Sequence, residues 1–303
     1  MAITTKSGFV SIIGKPNVGK STLLNAFIGE ELSLVTPKPQ TTRKSITGIY
    51  TKDTVQIVFL DTPGILKPKY KLQNFMKKEV DSSFLESDLV LLVLDASSYD
   101  PGSINSILHE DFKQLSGKVT FCVFNKIDRI DKAEVLQIIN DVSTKYKFAE
   151  IFPVSAKKKY NTNELLASII GYLPNGEFYF ENDIIASQPE KFFVSEIIRG
   201  EAMKLLNDEV PFSVFVDIEE FNERDNGKDY VRAGLIMEKD SQKSIVIGSG
   251  GSMLKKIGMH ARKKIEEFLG KEVFLEIHVK VKKNWKNDDT FLKNHFKKHT
   301  VVS

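Results

Sequence analysis

Residues 14 to 21 read "GKPNVGKS", two glycines five apart followed by a lysine and a hydroxyl, the spacing G-x-x-x-x-G-K-S/T. The chemistry open to that spacing is phosphate binding. Gly14 and Gly19 let the backbone wrap through Lys15, Pro16, Asn17 and Val18 so that its N–H groups point at an anion. Lys20 then reaches the outer phosphates, and the Ser21 hydroxyl, with Thr22 beside it, can ligate magnesium. A plain glycine turn between two elements would not require the lysine and the hydroxyl.

A phosphate cradle does not choose a base. "NKID" at 125 to 128 does, because the Asp128 carboxylate can accept from both guanine N1–H and the exocyclic amine, a pairing adenine cannot offer. Asn125 and Lys126 would brace the loop, and "SAK", Ser155, Ala156 and Lys157, offers backbone N–H groups to the guanine oxygen. In "DTPG", Asp61 can hold the magnesium shell and the Gly64 N–H can sense a third phosphate, with Thr62 and Pro63 between them. Thr42 in "PQTTRK" is the expected second hydroxyl on magnesium, in a segment ordered by the third phosphate. The reading is of GTP and GDP as ligands, with Lys20, Thr42 and Gly64 acting around the terminal phosphate.

These residues must be carried to one place. "FVSII", "VQIVFL", "LVLLVLDA", "KVTFCVFNK" and "IFPVSA" are apolar on successive residues, the pattern of strands covered on both faces. Helical spacing lies between them, as at Leu23, Leu24, Phe27 and Ile28, with a helix beginning near Ser21, and at Ala133, Val135, Leu136 and Ile139. The expectation is a mostly parallel sheet with helices on both faces, an α/β P-loop fold. Gly14, Asp61, Asn125 and Ser155 all follow strand ends, where such sheets bind ligands.

With 303 residues, 41% hydrophobic and 27% charged, the chain has room for two cores and excludes disordered or fibrous classes. The longest apolar run, Leu89 to Leu94, falls far short of the roughly 18 residues that span a bilayer. "MAITTKSGF" lacks the apolar core of a signal peptide, so a cytoplasmic location is expected. The one cysteine, Cys122, sits in an apolar run and reads as core. Charge is uneven. Residues 181 to 240 carry 7 Lys/Arg against 15 Asp/Glu, whereas residues 241 to 303 carry 14 against 6. A basic last portion fits a polyanion or a solvated face equally well.

Residues 175 to 190 have no clear period and read as a linker. Beyond them the order is α-β-β-α-α-β, with "GSGG", Gly248, Ser249, Gly250 and Gly251, between the two later helices. In the longer helix Leu254, Ile257, Ala261, Ile265 and Phe268 form a core stripe, leaving Lys255, Lys256, Arg262 and Lys263 outside. This arrangement resembles an α+β KH domain of the second topological type, whose GxxG loop clamps a single-stranded nucleic-acid backbone. The pair inside the loop, Ser249 and Gly250, lacks the charge such loops often carry. His278 on the last strand reads as solvated. In the basic tail Trp285, Phe291 and Phe296 can stack on bases or pack back on the domain.

The nucleotide motifs resemble the translation-factor class of GTPases over residues 8 to about 173, with Ile65 where signalling members carry the glutamine that positions water. Asn17 resembles the asparagine with which some of these GTPases hold potassium, and is otherwise a turn residue. With "GKPNVGKST", "PQTTR", "DTPGI", "NKID", "GSGG" and "VKVKKNW" together, the chain resembles the Era family of bacterial GTPases. That resemblance implies a GTPase domain over 1–174, a linker over 175–190, a KH domain over 191–285 and a basic tail over 286–303. It also implies single-stranded 16S rRNA near its 3′ end as ligand, a role in 30S subunit assembly, and peripheral membrane association, while Ile65 in place of that glutamine makes slow GTP hydrolysis the expectation unless another element supplies the positioning. An RNA-modification GTPase acting on tRNA, or an RNA scaffold with a weak nucleotide site, are the alternatives. The intact Lys20, Ser21, Asp61 and Asp128 argue against the scaffold.

Overall fold

The computed structural model describes residues 4–106 and 117–296. The first part of the chain runs β1 (Lys6–Ile13), α1 (Lys20–Ile28), β2 (Ile46–Lys52), β3 (Val55–Asp61), α2 (Lys71–Glu86), β4 (Leu89–Asp95), α3 (Pro101–Ser106), β5 (Val119–Asn125), α4 (Lys132–Lys145), β6 (Glu150–Pro153) and α5 (Thr162–Tyr172). Its six strands lie in the order β2-β3-β1-β4-β5-β6, parallel except for β2, which pairs antiparallel with β3. The strand β2 was not among the apolar runs expected to form the sheet. Its sequence, "ITGIYTK", is broken by threonines and glycine, and it is an edge strand joined to β3 through Asp53 at φ 51°.

Successive apolar residues face opposite ways, which is why the strands read as unbroken runs. Val10, Ile57, Phe59, Leu91 and Val123 pack with Leu23 and Phe27 of α1 and Leu165 and Ile169 of α5. Ile13, Val90, Leu92, Cys122 and Phe124 pack on the other face with Val80 and Phe84 of α2, Ile104 of α3 and Val142 of α4. Cys122 is wholly buried, and burial pushes its thiol pKa up, away from reactivity.

The segment after α5 is fastened along the sheet. Gln56, fully buried, accepts from the Tyr179 and Phe180 N–H groups at 2.7 and 3.0 Å and donates to the Phe180 carbonyl at 2.9 Å. Ala186 bridges Gly48 on the free edge of β2, and Gln188 accepts from the Thr47 N–H and donates to the Ser45 carbonyl, both at 3.2 Å.

The second part runs α6 (Glu190–Leu205), β7 (Phe215–Asn222), β8 (Asp229–Met237), α7 (Asp240–Ile247), α8 (Ser252–Leu269), β9 (Val273–Val281) and α9 (Asp289–His295). Its sheet is β7-β8-β9, antiparallel then parallel. Ile198 and Ala202 of α6 meet Ile257, Ala261 and Ile265 of α8 over Val231, Ala233 and Leu235. Phe268, expected in the α8 stripe, lies instead at its exposed edge, 5.4 Å from the Phe193 ring. His278 is not simply solvated: it is half-buried, with Nε2 3.1 Å from Glu219 Oε1.

The far face of this sheet is covered at one end by the tail. Trp285, Phe291, Leu292 and Phe296 are buried against Ile236 and against Leu72 and Met76 of α2. These aromatics join the two parts of the chain and are closed to bases; residues 297–303 of the tail lie outside the described residues.

Candidate functional site

The ends of β1, β3, β5 and β6 carry Gly14, Asp61, Asn125 and Ser155, and beside them opens a cleft of about 610 Å³ lined by Gly19, Lys20, Ser21, Gly64, Asn125 and Asp128. At Gly14 a side chain has no room, since a Cβ would stand 2.3 Å from the Val93 carbonyl. At Gly19, with φ 98°, it would stand 2.2 Å from Asn125 Nδ2. The loop is therefore held against β4 and the base-reading segment by backbone approach. Helix α1 starts at Lys20, one residue before the expected Ser21.

Lys20 is buried, and its Nζ donates to the Gly14 and Lys15 carbonyls, both at 3.1 Å. Burial pushes its pKa down to about 8, with Asp61 opposing the shift, so an anion in the loop would find a lysine short of counter-charge. Asp61 is fully buried, and burial raises its pKa. Its Oδ2 accepts from Ser21 Oγ and from Ser33 Oγ, each at 2.6 Å, and Ser21 Oγ lies 3.1 Å from Thr42 Oγ1. Asp61 Oδ1 has no hydrogen-bond partner among the described residues. A buried carboxylate oxygen without a donor, flanked by two hydroxyls, fits a hard cation with oxygen ligands, and magnesium needs few protein ligands beside phosphates.

Gly64 packs on the phosphate loop, where a Cβ would come within 2.7 Å of Pro16. Ile65 donates its N–H to the Gly14 carbonyl at 3.0 Å and turns its side chain into the α2 core, away from any water in the cleft. Thr62 and Val18, expected to bind nucleotide, have side chains spent elsewhere. The Thr62 hydroxyl donates to the Ile12 carbonyl at 2.8 Å, and Val18 lies in the core. Only their backbones remain for a ligand.

On the base side Asn125 donates to the Val18 carbonyl and accepts from the Ala156 N–H, both at 2.9 Å. Lys126 donates to the Asn17 carbonyl and to Asp95 Oδ2, both at 2.6 Å. Asp128 Oδ1 accepts from Ser155 Oγ at 2.6 Å, and this bond holds its carboxyl below the usual range. The exposed carboxylate is thus ionised and aimed by its neighbour.

Sequence reasoning missed three features of the cleft. Ser33 is a second hydroxyl on Asp61, braced by Asn25 on its N–H and carbonyl at 2.8 Å each. Asp95 ties Lys126 and had a legible sign, a carboxylate closing the apolar run of β4 beside Asn125. Leu34, Thr36, Pro37, Gln40 and Thr41 wall the cleft, in a segment without periodicity. Asn17 Nδ2 reaches that wall, donating to the Pro37 carbonyl at 2.9 Å.

In the second part, Ser249 to Gly251 form one tight turn between α7 and α8, with φ of 72°, 56° and 80° at Gly248, Gly250 and Gly251. The N-terminus of the 18-residue α8 follows directly. Lys255, Lys256, Arg262 and Lys263 are all exposed. Arg262 and Lys263 lie 3.7 and 3.8 Å from Glu266 and Glu267, whereas Lys255 and Lys256, nearest the loop, have no ion pair among the described residues.

A phosphate-loop cleft with the "NKID" and "SAK" segments at its rim, followed by a KH sheet with its glycine loop, defines a GTPase fused to a nucleic-acid-binding module. The family model for 50S ribosome-binding GTPases matches residues 9–126, and that for KH domains residues 209–286. GTPase Era of Clostridium kluyveri is 46% identical over 288 residues, 95% of this chain and 98% of that one. GTPase Era of Lactobacillus delbrueckii subsp. bulgaricus is 44% identical over 289 residues, 95% of each. A crystal structure of Aquifex aeolicus Era bound to GDP and aluminium fluoride superposes with a TM-score of 0.91 at 36% identity, covering 99% of this chain and all of that one. A solved Era holding MgGDPNP and nucleotides 1506–1542 of 16S ribosomal RNA matches with the same score, identity and coverage. The chain belongs to the Era family and is a GTPase. No helix among the described residues is long and apolar enough to cross a membrane.

Proposed function

We propose that the chain uses GTP to time its hold on a single-stranded RNA, the 16S rRNA near its 3′ end, during assembly of the small ribosomal subunit. What carries this reading is the pairing of the nucleotide cleft with the Gly248–Gly251 loop and the exposed Lys255 and Lys256 that follow it. The full-length backbone likeness to an Era that holds both kinds of ligand supports it. Residues 1–174 would be the GTPase domain, 175–190 the linker, 191–285 the RNA-binding domain and 286–303 a C-terminal extension.

Ser21, Thr42 and Asp61 would hold magnesium, which supplies charge neutralisation on the phosphates when bound. Lys20 meets the outer phosphates from a buried position, where its charge acts strongly. The Gly64 N–H senses the third phosphate, and Asn17 Oδ1 is the group that would meet a potassium ion. Because Ile65 faces the core, no side chain at that position orients water, and unaided hydrolysis is slow. At the RNA site the backbone N–H groups that open α8 and the Lys255 and Lys256 charges hold phosphates, while Ser249 and Gly250 contribute only close approach.

The test is binding of a labelled RNA copying the 3′ end of 16S rRNA, with GDP and then with GDPNP. GDPNP is expected to tighten binding severalfold. Replacing Ser249 and Gly250, both exposed, together by Asp sets two carboxylates against the phosphates, the one at 250 at a left-handed φ of 56°, and is expected to abolish binding while GTP hydrolysis persists. Equal affinity in both nucleotide states would sink the timing role, and no binding in either would sink the RNA assignment.

A further inference from the structure

Residues 34 to 42 wall the nucleotide cleft on one side, and residues 34 to 43 rest on α6 and on the turn at 212–214 of the second domain on the other. Four contacts make that seat. Gly200 lies inside α6, where glycine weakens a helix relative to alanine, and a Cβ there would stand 2.3 Å from Leu34 Cδ1. Its neighbour Arg199, buried and paired with Glu196, donates from Nη2 to the Thr41 carbonyl. Lys38 Nζ donates to the carbonyls of Met203, at 2.5 Å, and Leu206, where α6 ends and its last carbonyls lack helical partners. Arg43, also buried, donates to the Val214 and Phe212 carbonyls at 2.6 and 3.0 Å and lies 5.8 Å over the Trp285 ring. Residues 41 and 43 are therefore both held by the second domain, and Thr42 between them presents its hydroxyl to Ser21 Oγ at 3.1 Å.

We infer that α6 is a positioning element for the magnesium-site hydroxyl, with Arg199 and Gly200 as the residues that place Thr42 over Ser21 and Asp61. This rests on the reading of Thr42 as a magnesium ligand in the triphosphate state. An irregular segment loses conformational freedom when it closes on a ligand, and a segment already seated loses less, so α6 favours the triphosphate state by pre-organisation. The diphosphate state makes no use of Thr42 and gains nothing from the seat. By linkage, a nucleotide that prefers the seated segment also tightens the contact between the domains.

The full-length protein tests this with three readouts: affinity for fluorescent GDPNP across a magnesium titration, affinity for GDP, and thermal unfolding. Arg199→Ala is expected to weaken GDPNP about tenfold, the size of one charge-assisted hydrogen bond, and to move the magnesium titration to higher concentration. GDP affinity should stay put. Arg199→Lys, which keeps one donor, should recover part of the loss. Gly200→Ala improves α6 as a helix while its methyl pushes on Leu34, so GDPNP affinity should fall although the melting temperature does not. If either alanine variant weakens GDP and GDPNP alike, or neither, the inference is overturned and α6 is only packing. Thr42→Ala separates the two layers: with GDPNP and magnesium dependence unchanged in that variant, the reading of Thr42 itself fails.

Discussion

At Asp128 the carboxylate accepts from Ser155 at one oxygen and is exposed to the cleft, so the base selectivity proposed for it would rest on hydrogen-bond polarity. Asp128→Asn replaces an acceptor by a donor opposite the guanine amine while keeping the shape. Guanine nucleotide affinity is expected to fall by about 2 kcal/mol, roughly thirtyfold, and xanthine nucleotides, with a carbonyl in place of the amine, to bind better. Competition of GDP and XDP for the variant checks it. The gathering of Gly14, Lys20, Ser21, Asn125 and Asp128 at the strand ends was legible because their spacing is local and each motif directly follows an apolar run. Ser33 was not, because a serine in a segment without period has no signature until the fold carries it to Asp61. Thr62 shows the converse, a residue inside a motif whose side chain serves the sheet.

Helix α9 carries a histidine whose burial disfavours its charged form. His295 lies 4.9 Å from the Phe215 ring and 4.3 Å from the Phe291 ring, and burial lowers its pKa from 6.5. Asp217, 3.8 Å away, opposes the shift, while Lys44 and Lys282 add to it. With the docked pKa below the undocked one, the docked form binds fewer protons, so its stability is complete above pH 6.5 and is lost as pH falls through the lowered value. The one tryptophan of the chain, Trp285, is buried in the same cluster and reports it. Its fluorescence should shift toward that of an exposed indole on acidification, and the shift should move to lower pH in His295→Phe, which keeps the ring contacts without the proton. Elements with strong apolar runs or stripes were legible, as in β4 and α8. The strand β2 was not: its pairing is decided by β3 and by Ala186 on its free edge, and local pattern carries neither.

Across the whole molecule, the two cores meet through Leu72, Met76, Ile236, Trp285 and Phe296. Met76→Ala is expected to lose about 2–5 kcal/mol from this junction and little from either core, so calorimetry should resolve two transitions where the parent melts more cooperatively. The two-domain plan and the basic last portion, residues 241 to 303, were readable from motif order and charge. The seating of one domain on the other was not, because it is made largely by side chains on backbone carbonyls, Arg43 on Phe212 and Val214 or Lys38 on Met203, and carbonyls leave no trace in a sequence. The fastening of residues 175 to 188 along the sheet has a mechanical consequence. Gln188 is pinned to Ser45 and Thr47, and α6 begins at Glu190 behind the Pro189 cap, so the leash between the domains is a single residue. A second domain lifted from its seat while Gln188 stays pinned would swivel about Pro189. Its effective concentration at the first domain would remain roughly millimolar or above, and recapture would need no diffusional search.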